Sequence, residues 1–200
     1  VWTVPREWPG CTVIIIAGGP SVLSQDLSLL AGRRVIAINS AWKTYPQADV
    51  LFFADARWWR ELDKALEYKG RVVTTSGVAD PRVLRLNKVD PSPISLDPHS
   101  LALRRTSVTG AINLAVHLGA AKIVLLGVDG QLLDGTRHNH GIKYPWPLKA
   151  GCFDEHAAEF QLVAPSIPIP VINASPVSTL DVWPKMSLEQ ALEEHALADR

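Results

Sequence analysis

Residues 106–130 read TSVTGAINLAVHLGAAKIVLLGVDG. From residue 109 to 118 the apolar side chains fall at helical spacing, and hydroxyl residues stand where a helix opens. Gly119, Ala120 and Ala121 then lead into KIVLL, a run with no polar face, as a strand covered on both sides of a parallel sheet requires. The stretch ends in Gly127-Val128-Asp129-Gly130, small and polar residues at a strand's carboxyl end.

Working outward, the same pattern recurs. Residues 12–17 (TVIIIA), 34–38 (RVIAI), 50–54 (VLFFA), 71–74 (RVVT), 122–126 (KIVLL) and 170–173 (PVIN) are predicted strands. Helix-patterned segments lie at 21–30, 56–68, 109–118 and 154–163. This alternation predicts one α/β domain over residues 1–200: a doubly wound fold with a mostly parallel central sheet. Two irregular stretches, 87–105 and 129–153, are expected to be long loops. A final amphipathic helix is expected over 187–198, with Leu188, Ala191, Leu192 and His195 on one stripe, closing the sheet or serving an oligomer.

Composition narrows the function classes. Lys plus Arg is 20 and Asp plus Glu is 20, so net charge is zero, which disfavours a partner bound mainly by electrostatics. Phosphate would then be met mainly by backbone N–H groups and hydroxyls. No apolar run approaches the length of a membrane span. Cys11 and Cys152 form no metal or CxxC pattern and read as reduced thiols. The expectation is a cytoplasmic protein with no membrane partner.

Ligands of open α/β sheets bind beyond the carboxyl ends of the strands. Those ends carry Gly18-Gly19-Pro20-Ser21, Asn39-Ser40, Asp55 and Asp129. The GGPS turn reads either as a place where backbone approaches phosphate at a helix start or as a plain turn with a serine cap. It is neither the dinucleotide-binding nor the P-loop fingerprint. Ser107, Thr109 and Gly110 at the later helix start either hold ligand or cap the helix. Asp129, with Asp134 nearby, reads as a ligand for sugar hydroxyls or metal, or as a turn former. Asp55 reads as an N-cap ahead of the tandem Trp58-Trp59. His138 and His140 make the close histidine pair, able to present a general base, whereas two imidazoles alone do not make a metal site. His99, His117, His156 and His195 read as structural or solvent-exposed. No G-x-S-x-G elbow is present.

Taken in order, IIIAGGPS, AIN, FADARWW, TSVTGAINLAVHLGAAKIVLLGVDG, HNHG and VINASPVSTLDVWPK resemble a Rossmann-like family of phage and prophage genomes. That family is related to the archaeal 6-hydroxymethylpterin pyrophosphokinase. It is similar to the motility-accessory glycosyltransferases of flagellin and, more distantly, to bacterial sialyltransferases that use CMP-sialic acid. The resemblance implies that Gly18, Gly19, Pro20 and Ser21 lie against nucleotide phosphates. It implies that Asn39 and Asp55 line the same cleft, and that Ser107 and Gly110 meet nucleotide or sugar. The sialyltransferase turn AGNGPS has Asn where this chain has Gly18.

Three functions follow as expectations. The first is a glycosyltransferase using a nucleotide sugar, with His140, or else His138, as base; its acceptor is a modified DNA base, a glycan or a protein. The second is a pyrophosphokinase needing Mg²⁺ on Asp55 and Asp129. The third is a non-catalytic phage assembly protein. A DNA acceptor would call on Arg104-Arg105.

Overall fold

The computed structural model describes residues 1–62, 65 and 67–193. In chain order these form β1 (Thr12–Ile16), β2 (Arg34–Ile38), β3 (Val50–Phe53), α1 (Ala56–Glu61), β4 (Arg71–Thr74), β5 (Val83–Arg85), β6 (Asn87–Val89), β7 (Ser100–Ala102), α2 (Ser107–Leu118), β8 (Lys122–Leu126), α3 (Cys152–Val163), β9 (Val171–Asn173) and α4 (Leu188–Glu193).

Seven strands pair in the order β5-β4-β3-β2-β1-β8-β9, and every pairing is parallel. The all-apolar runs are explained by the two faces of this sheet. Val13 and Ile15 of β1 enter one core with Ile112, Leu114 and Ala115 of α2. Ile14 and Ile16 enter the opposite core with Val22, Leu30, Trp42, Trp58 and Trp59. These four β1 side chains are fully buried, each contributing about 1.5–3 kcal/mol relative to exposure. A polar residue at any of them would face one core or the other.

The chain steps from β1 through β5 in one direction, then returns through α2 to place β8 on the other side of β1. The carboxyl ends of β1 and β8 therefore flank the point where strand order reverses, which is where open α/β sheets leave a crevice.

Three local expectations are corrected. Residues 21–30 form two 3-10 turns, Pro20–Ser24 and Leu27–Leu30, instead of one helix. Gln25 between them is extended and its amide donates to the Ala174 carbonyl at 3.1 Å, while the Asp26 carboxylate caps Ser28 N at 3.0 Å and starts a new turn. Helix α1 ends at Glu61, and residues 63, 64 and 66 of the expected helix lie outside the described residues. The 87–105 stretch contains β6 and β7, paired as a separate two-stranded parallel sheet. They escape pattern reading because each is three residues long and β6 is exposed throughout. Helix α4 buries Leu188, Ala191 and Leu192 as expected; His195 and the remainder of 187–198 beyond residue 193 lie outside the described residues. Among the described residues no helix is long and apolar enough to cross a membrane.

Candidate active site

The turn after β1 is held from beneath. Asp129, 3% exposed, accepts from Ser21 N at 3.0 Å through Oδ2, and from both Ser21 Oγ and Ser175 Oγ at 2.5 Å through Oδ1. A Cβ on Gly19 would stand 2.3 Å from the Gly127 carbonyl oxygen and 2.4 Å from Asp129 Oδ2, so this close approach of β1 and β8 admits glycine alone. Gly19 N–H donates to Gly127 O at 2.8 Å, Ser21 N–H is taken by Asp129, and Pro20 has none. Of the amides in this turn, those of Gly19 and Ser21 are thus spent inside the fold. Gly18 and Gly19 line the cleft above the turn, while Pro20 and Ser21 are buried below it.

A second segment folds onto this turn through Asn139, whose importance the sequence did not reveal. Its N–H donates to Gly18 O at 2.8 Å, its side-chain amide to Ala17 O at 2.7 Å and Gly19 O at 3.2 Å, and its Oδ1 accepts from Thr44 Oγ1 at 2.8 Å. The clamp sets the flanking histidines side by side, with rings 4.7 Å apart and nearly parallel at 16°. Tyr144 packs against both, at 4.7 Å from His138 and 5.5 Å from His140. Burial, aided by the Arg137 charge, pushes His138 down to about 4. Burial, then the charges of His138, Lys43 and Arg137, pushes His140 down to about 4. Both rings are neutral near pH 7 and can accept a proton.

These parts border a cleft of about 350 Å³ at the carboxyl ends of β1, β2, β3 and β8. Asn39, in the left-handed region at φ 51°, lines it with a buried Oδ1 that has no protein partner. Such a backbone conformation in a non-glycine residue costs energy that asparagine tolerates best. Asp55 also lines the cleft, but its carboxylate caps Arg57 N at 2.8 Å and pairs with the Arg57 guanidinium at 3.3 Å. Ser107 lines the opposite wall, where Thr106 caps α2 by accepting from Val108 N at 3.2 Å.

Thr109 and Gly110, expected beside it, do not reach the cleft. Both are buried and outside the cleft lining, and a Cβ on Gly110 would meet Phe52 Cζ at 2.8 Å. The glycine therefore serves helix–sheet packing. Asp134 stands exposed at φ 48° in the tight turn between the bridged Leu133 and Thr136 and does not join Asp129 at the cleft.

The cleft is more cationic than the neutral composition suggested. Arg57, Arg105, Arg137 and Lys149 all line it, from α1, the approach to α2, and the 129–153 loop. Arg105 is presented by Glu159 of α3, which accepts from the backbone N–H of Arg104 at 3.1 Å and of Arg105 at 2.5 Å. Arg104 itself pairs with Asp90 at 2.9 Å on the surface, so the two arginines are not one patch. His156 lines the cleft from α3, and burial lowers its value below the ordinary histidine one. It joins the site although it read as structural. Cys152 lies there too, its thiol pushed up by burial.

The carboxylates do not fit a Mg²⁺ pair. Asp55 is committed to its helix cap and Arg57, Asp129 to Ser21 and Ser175, and no group of three His, Cys, Asp or Glu among the described residues is placed to hold a metal.

A seven-stranded parallel sheet with a cleft at its reversal point defines the class: an open α/β fold of the kind that binds ligands at strand ends. Among solved structures it is shared with the MAf glycosyltransferase from Magnetospirillum magneticum AMB-1, at TM-score 0.65 and 15% identity over 100% of this chain. This chain spans 38% of that protein's length. It is shared also with the sialyltransferase CstII from Campylobacter jejuni in complex with the substrate analogue CMP-3FNeuAc, at TM-score 0.53 and 13% identity, covering 90% of this chain and 88% of that one. The same sialyltransferase with a trisaccharide acceptor and CMP matches at TM-score 0.53 and 14% identity, with the same coverage. At these identities the likeness establishes the fold. No protein-family model and no curated protein matches the sequence.

Proposed function

We propose that the chain is a glycosyltransferase that uses a nucleotide-activated sugar. The observation that carries this reading is the convergence, in one cleft at the reversal point of the sheet, of a glycine turn, a neutral histidine pair and several basic side chains. The glycosyltransferase fold of the structural neighbours supports it.

In this reading the nucleotide lies along Gly18, Gly19 and Asn39. Its phosphate is met by Arg105 and Arg137 and by the Ser107 hydroxyl at the start of α2, in place of the Gly19 and Ser21 amides, which donate within the fold. His140 takes the proton from an acceptor hydroxyl as that oxygen attacks the sugar's anomeric carbon and the nucleotide phosphate departs. Charge growing on the leaving phosphate is stabilised by the preplaced guanidinium groups. Asp129 acts through Ser21, holding the turn in shape. The acceptor is a glycan hydroxyl, as the trisaccharide bound by CstII suggests.

Titration with CMP, UDP, GDP and their sugars tests the reading. A true donor at one hundred times its Kd stabilises the protein by about 2.7 kcal/mol, raising Tm by roughly 5–11 °C for a chain of this size. His140→Ala should leave that shift in place and lower turnover by about 10²–10⁴-fold. Absence of any shift across the panel would refute the reading and favour a non-catalytic assembly role.

A further inference from the structure

Arg104 and Arg105 are neighbours in sequence, yet their side chains part: Arg104 pairs with Asp90 at 2.9 Å on the surface, and Arg105 lines the cleft. The backbone between them is bent, and its two successive N–H groups converge on one carboxylate. Glu159 Oε1 accepts from Arg104 N at 3.1 Å and Oε2 from Arg105 N at 2.5 Å. A bend that turns neighbouring amides to one side makes a concave seat for an anion. Here the anion is part of the chain.

Glu159 is 5% exposed on α3, beside the buried Phe160 and Val163 of the same helix. A carboxylate taken that far from water needs hydrogen bonds to hold it, and the two amides supply them. Water could satisfy those amides at the surface but could not fix their direction. His156, one turn earlier on α3, meets the same segment: burial lowers its pKa, while the Glu159 charge and the Arg105 backbone oppose that shift. Helix α3 thus grips the 104–105 bend immediately before Thr106 caps α2. The Arg105 guanidinium is left open to a ligand. Among the described residues no carboxylate forms an ion pair with it, and the Glu155 carboxylate is bonded to Lys149 at 2.6 Å.

We infer that Glu159 is a positioning residue, whose carboxylate holds the 104–105 bend so that the Arg105 guanidinium meets the phosphate of the ligand. Glu159 is not itself part of the cleft lining. The inference rests on the proposed placement of phosphate at Arg105, whereas it does not require that a sugar be transferred. Position and charge act here with opposite signs. Glu159→Gln removes a negative charge from beside an anion site, which by Coulomb attraction alone would tighten binding. It also replaces one acceptor oxygen with an N–H₂ group that can only donate, which frees one amide and with it the bend. A positioning role therefore predicts weaker binding in spite of the charge removed.

The test is calorimetric titration of the full chain with inorganic pyrophosphate, CMP, UDP and GDP, in the unsubstituted protein, Arg105→Ala, Glu159→Gln and the double variant. Each single substitution should weaken the tightest of these anions by about tenfold or more, the worth of a hydrogen bond to a charged group. The double variant should bind no more weakly than Arg105→Ala, because Glu159 acts through Arg105. Unchanged or tighter binding by Glu159→Gln, losses that add in the double variant, or no binding of any of the four anions would overturn the inference. Should Glu159→Gln not fold, Glu159→Asp keeps the charge but draws the carboxylate back by one methylene, and it should show the same loss and the same lack of additivity. A cycle of the expected form in a protein that transfers no sugar from CMP-, UDP- or GDP-sugars would refute the glycosyltransferase reading and leave this inference standing.

Discussion

Replacing Asp129 with alanine tests the reasoning about the turn most quantitatively. The carboxylate accepts three bonds, from Ser21 N, Ser21 Oγ and Ser175 Oγ, in a place that is 3% exposed. After truncation Ser175 Oγ can still donate to Ser21 Oγ, 3.1 Å away, so two donors are stranded without an acceptor: the Ser21 amide and the Ser21 hydroxyl. Each stranded buried donor costs about 1–3 kcal/mol, giving a loss of about 2–6 kcal/mol. For a chain of this length that is a fall in Tm of roughly 4–24 °C, read by differential scanning calorimetry. Ser175→Ala is the matched control, because it removes a single donor and leaves Asp129 with both Ser21 bonds; its expected cost is about 1 kcal/mol. An Asp129→Ala protein melting no lower than Ser175→Ala would refute the idea that this carboxylate holds the turn.

Two further outcomes follow from the same geometry. Gly19→Ala places a methyl 2.3 Å from a backbone carbonyl that cannot move aside, so it should lower Tm and weaken nucleotide binding, whereas Gly141→Ala, with nothing within 4 Å, should do neither; equal melting of the two would contradict the close approach. Between pH 6.5 and 4 stability should fall as pH is lowered, because His138 and His140 are held at about 4 in the fold against 6.5 when free, so the unfolded chain binds protons first. Tm measured against pH should therefore flatten over that interval in the His138→Gln, His140→Gln double variant, and an unaltered slope would contradict neutral burial of the pair.

How much of this was legible in the sequence differs by element. The central strands were, because side chains buried on both faces leave runs such as TVIIIA and KIVLL that no surface element carries. Strands β5, β6 and β7 were not, since three residues at an edge or in a small outlying sheet hold too few buried positions to form a pattern. The two readings of the GGPS turn could not be separated in the sequence, because whether an amide is free depends on the partner strand, and only the β1–β8 register shows Gly127 and Asp129 taking the Gly19 and Ser21 protons. Gly110 and Thr109 were misplaced for a related reason, since one turn along α2 leads from Ser107 at the cleft to Gly110 against Phe52, with Thr109 buried between them. Arg57, Arg105, Arg137 and Lys149 are scattered along the chain and look like ordinary surface charges until the topology gathers them. Asn139 lay in plain view between two histidines, its role hidden because it bonds backbone carbonyls that carry no sequence signal.

The most direct measurement of the central claim is a crystal structure of the protein soaked with the nucleotide or nucleotide sugar that binds tightest. The account expects density in the cleft between the carboxyl ends of β1 and β8, its phosphate within hydrogen-bond reach of Arg105 or Arg137, and its sugar facing His140. A ligand bound elsewhere on the chain, or in the cleft with its phosphate away from both arginines, would contradict it.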